Sequence, residues 1–151
     1  MNSSDPTLVL SLTVSDVAAA LDFYVQAFGA EEVSRMATPD GTVVQGEVRI
    51  GNSAFYVSVG SEEWKAAALE AGLVAPCLFC VTVEDPDAAF AKALAGGATA
   101  IEEPRDQFWG MTTSILADPF GYRWNLREIT EVLSNEEITK RLAEVLGGGG
   151  E

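Results

Sequence analysis

The chain carries one sequence pattern twice, and this duplication limits the folds that are open to it. Residues 9–33 and residues 78–101 are two versions of one pattern; an offset of 69 carries residue 9 to residue 78, and the register slips by one before Gly29 meets Gly97. At this offset Asp16 meets Asp85 and Leu21 meets Phe90. A repeat of about half the chain predicts two similar modules, and two half-sheets that face each other would form a cavity of the kind that binds small ligands.

The first copy has the pattern of a β-α-β-β-β module. Ser15 or Asp16 caps a helix that follows a β-branched apolar run, and Gly29 ends that helix. The apolar stripe of the helix, at 3.6-residue spacing, is Leu21, Tyr24, Val25 and Phe28. The predicted strands are Leu8–Val14, Val33–Ala37, Thr42–Ile50 and Ala54–Val59.

The second copy repeats this order. Asp85 or Asp87 caps its helix, which Gly96-Gly97 ends. The apolar stripe is Phe90, Ala93 and Leu94. The predicted strands are Leu78–Val83, Thr99–Glu102, Gln107–Leu116 and Tyr122–Arg127.

The remaining segments connect and follow the two modules. A short helix is predicted at Glu62–Ala71, and a final helix begins after Ser134, with Glu137 as its capping-box partner. The sequence therefore predicts a single domain, 1–151. It is made of a module at 8–59, a linker at 60–77, a module at 78–127 and a C-terminal helix at 134–146.

Composition excludes several classes of function. The net charge of −14 repels phosphate backbones and anionic lipid, so we expect neither nucleic-acid nor membrane binding. It would favour a cationic ligand, but solvated acidic helix faces that keep the protein in solution are the preferred explanation. No apolar run approaches the ~18–20 residues of a membrane span, and the N-terminus lacks a signal pattern, which predicts a cytoplasmic protein.

Histidine is absent, and this excludes histidine bases, histidine-dependent nucleophiles and histidine metal ligands. Cys77 and Cys80 form a CxxC pair at the start of a predicted strand. Residues three apart on a strand point to opposite faces, which favours two small packing residues over a redox pair. Two cysteines alone do not make a four-ligand zinc site.

The duplicated modules and five segments together resemble the glyoxalase/bleomycin-resistance/dioxygenase superfamily, also called vicinal oxygen chelate proteins. The segments are VSDVAAALDFYVQAFGAEEV, PDGTVVQGEVRIGNS, VEDPDAAFAKALAGGA, DQFWG and DPFGYRW. LSNEEITKRL is typical of one bacterial, PhnB-like branch. The resemblance implies an α+β fold in which two β-α-β-β-β modules form a cup-shaped, mostly antiparallel eight-stranded sheet, followed by a C-terminal helix.

Members of that superfamily with metal chemistry hold one divalent ion at the centre of the cup, usually with His and Glu. By resemblance, the ligand positions fall on Val9, Tyr56, Leu78 and Asn125. Two aliphatic side chains, a phenol with an ordinary pKa of ~10 and a neutral amide are poor ligands. We therefore expect no metal ligands and no cofactor.

Strand alternation predicts what the cup contains instead. Glu47 is the candidate catalytic base, unless Gln45, Glu47 and Arg49 form a solvated face. Phe55 and Trp124 fall on the opposite face and should pack against the helices. Phe108 and Trp109 either wall the cup mouth or pack where the modules meet. The predicted ligand-binding residues are Val9, Ser11, Gln45, Tyr56, Leu78, Cys80, Phe108, Trp109, Arg123 and Asn125.

Two functions fit this lining. The first is metal-free binding or sequestration of a small organic molecule, including a cationic or antibiotic-like one, as in resistance members of the superfamily. The alternative is a lyase, isomerase or dioxygenase-type enzyme that uses Glu47 as base or an unconventional metal site. By the same resemblance we expect a homodimer.

Overall fold

The computed structural model describes residues 5–148, which form eight strands and three helices. The first half consists of β1 (Leu10–Thr13), α1 (Val17–Phe28), β2 (Glu31–Ala37), β3 (Val43–Ile50) and β4 (Ser53–Ser58). The second half consists of β5 (Leu78–Thr82), α2 (Pro86–Ala95), β6 (Thr99–Gln107), β7 (Met111–Ala117) and β8 (Arg123–Ile129). Helix α3 (Asn135–Gly147) follows. The predicted α+β class, with two β-α-β-β-β units and a C-terminal helix, is confirmed.

Each half builds its own four-stranded sheet, in the orders β1-β4-β3-β2 and β5-β8-β7-β6. The β1–β4 and β5–β8 pairs are parallel, and the other neighbours are antiparallel. The prediction of a mostly antiparallel arrangement is therefore confirmed. The eight strands are divided between two sheets, and β1 and β5 are edge strands of their respective sheets.

The sequence repeat extends to the register of the strands. Ser11 lies opposite Tyr56 in the first sheet, and Cys80 lies opposite Asn125 in the second. Both pairs obey the offset of 69 that aligns residue 9 with residue 78. The two halves are thus copies in hydrogen-bonding pattern as well as in sequence.

The helices begin where capping side chains satisfy their first free amides. The Asp16 carboxylate accepts a hydrogen bond from the Ala19 amide at 3.0 Å, and Asp85 does the same for Ala88 at 3.0 Å. Gly29 ends α1 with a φ of 65°, in the left-handed region that glycine adopts without steric cost.

The start of α3 agrees only partly with the predicted capping box. Ser134 accepts a hydrogen bond from the Glu137 amide at 3.2 Å, as a capping serine should. The Glu137 side chain instead binds Arg141 Nε at 3.0 Å. Arg141 also contacts both carboxylate oxygens of Glu131, at 2.8 and 2.9 Å. These contacts hold the base of α3, which buries none of its own residues.

The core lies between α1, α2 and the sides of both sheets that face them. Phe55 and Trp124, which correspond in the repeat, are 5.8 Å apart between ring centroids and both contact Tyr24. The prediction that they pack against the helices is confirmed. The helices approach closely beside Gly96, where a Cβ atom would lie 2.9 Å from the Cβ of Ala27.

A buried carboxylate joins the two halves. Asp118 accepts hydrogen bonds from Tyr24 Oη at 2.7 Å, Trp124 Nε1 at 2.9 Å and the amides of Phe120 and Tyr122 at 2.9 and 3.0 Å. Burial, and then the nearby Asp118 charge, raise the pKa of Tyr24 far above its ordinary value. Both effects favour the protonated phenol, which is the form that donates the hydrogen bond to Asp118.

The prediction of a helix at Glu62–Ala71 is wrong. This segment makes a tight turn that is closed by backbone hydrogen bonds between Ser61 and Ala66, with Lys65 at a φ of 52°. The linker then packs over the turn before β8, where the Ala75 amide donates to the carbonyl oxygen of Gly121 at 2.8 Å. These tertiary contacts override the helical preference of the alanine-rich sequence.

The end of one strand and two core positions also differ from the predictions. The strand predicted to end at Glu102 continues to Gln107, because Pro104 is tolerated on the edge strand β6, where the register shifts. Val25 and Leu94, both predicted in apolar stripes, are exposed. Within residues 5–148, no helix is long and apolar enough to cross a membrane.

Candidate functional site

The face of the first sheet away from α1 carries a row of polar side chains. The strand register places Ser11, Tyr56 and Glu47 side by side across three strands. Ser58 lies next to this row. Its hydroxyl oxygen is 3.4 Å from that of Ser11 and accepts a hydrogen bond from Gln45 Nε2 at 3.3 Å. The structure therefore brings these predicted residues of the first module together on one face.

Glu47 is half-buried on this face, opposite Tyr56 in the register. No hydrogen bond or ion pair of its side chain occurs among residues 5–148. Arg49, two residues along the strand, is exposed and pairs with Glu31 at 3.2 Å. The predicted face is thus polar and open, with one unpaired carboxylate near its middle.

The second sheet has the matching face. Cys80, Asn125 and Ile115 form a row across it, and Leu78 lies opposite Arg123. Cys80 is exposed, so its prediction as a small packing residue is wrong, whereas Cys77 packs against the core. Arg123 Nε and Asn125 Oδ1 are shielded from solvent and have no hydrogen-bond partner within the described chain.

The four positions that the resemblance gives to a metal do not fit one. Val9 lies one residue before β1 and is exposed, Tyr56 and Leu78 are exposed, and Asn125 is half-buried. Their side chains offer a phenol and a neutral amide but no carboxylate, thiolate or imidazole. No cluster of three or more Cys, Asp or Glu residues that could hold a metal ion occurs between residues 5 and 148.

Phe108 and Trp109 lie away from these rows. They occupy the turn between β6 and β7 rather than a strand start, as an edge-to-face pair with centroids 4.8 Å apart. The Phe108 carbonyl oxygen accepts a hydrogen bond from Arg141 at 3.3 Å, beside the base of α3. The two aromatic residues thus lie at a hairpin tip, and they do not line the cleft between β1 and β5 described below.

A cleft of about 500 Å³ opens between the edge strands β1 and β5. Its lining is mostly apolar and contains no charged residue. Of the predicted ligand-binding residues, only Leu78 and Cys80 line it. The complete lining is Leu10, Leu12, Ile50, Gly51, Asn52, Ser53, Ala54, Phe55, Leu78, Phe79, Cys80, Val81, Thr82 and Trp124.

Sequence alternation missed this cleft for a physical reason. Alternation tells which side of a sheet a residue occupies, whereas the cleft lies in the gap between two sheets and draws residues from both sides. The repeat does contain a feature that points to the cleft. At the offset of 69, which pairs Tyr56 with Asn125, Ser53 corresponds to Tyr122. A small residue in one copy and a large one in the other predicts unequal filling of the two equivalent places.

A second hollow, of about 430 Å³, lies beside the start of α2 and has the opposite character. Carboxylates and one arginine dominate its lining, from Glu84, Asp85, Asp87, Arg105, Asp106 and Glu128. Its few apolar groups provide little surface for an organic ligand. The cleft between β1 and β5 is therefore the better candidate for a small-molecule site.

Comparisons with known proteins agree with this fold. The family model described as "Glyoxalase/Bleomycin resistance protein/Dioxygenase superfamily" matches residues 7–126. It describes the superfamily as a whole and does not distinguish the PhnB-like branch. An uncharacterized protein of Mycobacterium bovis (strain ATCC BAA-935 / AF2122/97) is 34% identical over 140 residues, which cover 89% of this chain and 90% of that protein.

Solved structures show the same architecture. A glyoxalase/bleomycin resistance protein/dioxygenase from Nocardioides has a TM-score of 0.67 and 21% identity, covering 89% of this chain and 91% of its own. TioX from Micromonospora sp. ML1 has a TM-score of 0.64 and 22% identity, covering 85% and 100%. At these identities the likeness concerns the fold alone.

Proposed function

Because the chain belongs to the glyoxalase/bleomycin resistance protein/dioxygenase superfamily, we propose that it binds a small organic molecule, in the cytoplasm and without a metal ion. The observation that carries this proposal is the cleft between β1 and β5. Its volume of about 500 Å³ lies within the range of about 300–1,000 Å³ that is usual for ligand pockets. Binding or sequestration needs such a space and no reactive group.

The lining of the cleft also favours one kind of ligand. Leu12, Phe55 and Trp124 present apolar surface, and the absence of a charged lining residue favours a neutral molecule. The net charge of −14 suggested a cationic ligand, but these acidic groups lie elsewhere. Glu47 lies outside the cleft, so the geometry favours binding over catalysis by that carboxylate.

The proposal is tested with toluene, a neutral apolar probe. We expect saturable shifts of the Trp124 indole N–H signal in NMR spectra, since apolar cavities in proteins bind molecules of this type. Leu10→Trp should abolish the shifts, because the larger side chain extends from the rim of the cleft into it. Ile101→Trp, which places the same side chain at an exposed position of β6 outside the cleft, is the control and should leave them intact.

Toluene that fails to shift Trp124, or shifts it equally in Leu10→Trp, would contradict the proposal. The two variants should have the fold of the unmodified protein, which circular dichroism checks. Leu10 is 45% exposed, so its replacement removes little of the buried core.

We further propose a homodimer, with α3 contributing to the contact. Leu142, Val145 and Leu146 are all exposed on a helix that buries no residue of its own. Exposed apolar stripes of this kind are typical of interfaces. Light scattering should give twice the monomer mass of 16.0 kDa, and Leu146→Glu should lower it toward the monomer. A monomer mass for the unmodified protein at all concentrations would contradict this prediction.

A further inference from the structure

We propose that the cleft between β1 and β5 accepts a phenol, a ring that carries a hydroxyl group, in the place where the other half of the molecule supplies its own tyrosine. This inference rests on the proposed function and specifies the class of its ligand. The argument compares two places that the sequence repeat makes equivalent. One of them is filled by a side chain, and the other is the cleft.

At the filled place, Tyr122 bridges the two halves. Its hydroxyl group accepts a hydrogen bond from the Thr13 amide at 3.0 Å and donates one to the Thr13 carbonyl oxygen at 2.9 Å. Tyr122 is buried, and its ring lies 5.9 Å from that of Phe79 between centroids. A phenol in this position therefore satisfies both backbone groups of one edge-strand residue.

Those backbone groups point away from their own sheet. The Val14 amide donates to the Ser58 carbonyl oxygen at 3.0 Å, so Val14 turns its peptide groups toward β4. In a parallel pair, alternate residues of a strand face the neighbouring strand, and the residues between them face the other way. Thr13 therefore presents its N–H and C=O to the open edge of β1, where Tyr122 meets them.

The second half repeats this arrangement without the tyrosine. The Val83 amide donates to the Arg127 carbonyl oxygen at 2.8 Å, as Val14 does to Ser58. By the same alternation, Thr82 presents its N–H and C=O to the open edge of β5. At the offset of 69 Thr82 corresponds to Thr13, and Ser53 corresponds to Tyr122.

Both Thr82 and Ser53 line the cleft. The serine leaves the space that a tyrosine ring would occupy, and the edge of β5 retains the donor and acceptor that a tyrosine hydroxyl would bind. The surrounding Leu10, Phe55 and Trp124 form apolar and aromatic walls for a ring. The geometry thus combines an apolar space with one backbone donor and one acceptor at its edge.

The experiment compares p-cresol, which is the side chain of tyrosine as a free molecule, with toluene, which lacks only the hydroxyl group. We expect p-cresol to bind about five- to thirtyfold more tightly, the usual net effect of a hydroxyl group that donates one hydrogen bond and accepts another. We also expect p-cresol, but not toluene, to shift the NMR signal of the Thr82 amide. Calorimetry or NMR titration gives both dissociation constants.

Ser53→Tyr tests the location, because it supplies the missing side chain. We expect this variant to lose both ligands and to gain thermal stability, as the new side chain fills the cleft. Thr99→Tyr adds the same side chain on the exposed edge strand β6, outside the cleft, and should leave both affinities unchanged. If Ser53→Tyr does not fold, the Thr82 shift in the unmodified protein still decides the question.

The outcomes separate this inference from the proposed function. Equal affinity for p-cresol and toluene, or a Thr82 amide that does not respond to p-cresol, overturns the phenol inference and leaves the apolar binding site standing. Binding of p-cresol that survives in a folded Ser53→Tyr variant overturns it as well. Failure of both molecules to bind overturns the proposed function.

Discussion

Replacing Asp118 with alanine is expected to lower the free energy of unfolding by about 3–5 kcal/mol, since each buried donor left without a partner costs about 1–3 kcal/mol. The Asp118 carboxylate accepts hydrogen bonds from the side chains of Tyr24 and Trp124 and from the amides of Phe120 and Tyr122. Tyr24 belongs to the first half and the others to the second. The substitution therefore weakens both the contact between the two halves and the turn at residues 118–122.

Urea denaturation checks this expectation. The midpoint concentration should fall, while the slope of the unfolding free energy against urea concentration should stay constant. Asp106→Ala is the matched control. The Asp106 carboxylate is exposed and accepts a hydrogen bond from the Thr112 hydroxyl at 2.6 Å, so its loss should leave the midpoint nearly unchanged. Similar small shifts for both variants would show that the Asp118 network contributes little to stability.

Tyr122→Ala is expected to destabilise the protein by about 3–5 kcal/mol, the usual cost of removing a buried aromatic ring. The change removes the contact with Phe79 and both hydrogen bonds to Thr13. It also opens, in the second half, the space that Ser53 leaves open in the first. Tyr122→Phe keeps the ring and should lose only about 1–2 kcal/mol, the part due to the hydroxyl group.

Ser53→Ala provides a control at the equivalent position of the repeat. Ser53 is exposed, and its hydroxyl donates a hydrogen bond to Oδ1 of the neighbouring Asn52 at 3.1 Å, so we expect little change in the urea midpoint. Comparable effects of Tyr122→Ala and Ser53→Ala would mean that the two equivalent places do not differ in packing. In that case the physical basis of the phenol site would disappear.

Local chemistry explains why much of the fold could be predicted from the sequence. Asp16 and Asp85 cap their helices because a carboxylate satisfies free amides wherever the chain turns into a helix. Alternation along β4 and β8 placed Phe55 and Trp124 on the core side. Such features depend on neighbours within a few residues, so one sequence is enough to read them.

Predictions failed where distant segments decide the conformation. The alanine-rich stretch at Glu62–Ala71 has a good local preference for helix, but its contacts with the turn at Gly121 hold it in another shape. The strand at Pro104 continues because β6 happens to be an edge strand. Cys80 is exposed because it lies opposite Asn125, on the face of its sheet away from the core residues Trp124 and Leu126.

The sequence by itself determined that this protein is a duplicated β-α-β-β-β chain without histidine, because repeats and composition are properties of the chain order. Only the tertiary structure decided where a ligand could fit, since the gap between β1 and β5 depends on how the two copies pack together. Ser53 and Thr82 both line this gap, and the repeat gives them the positions that Tyr122 and Thr13 occupy where the tyrosine hydroxyl binds the edge of β1.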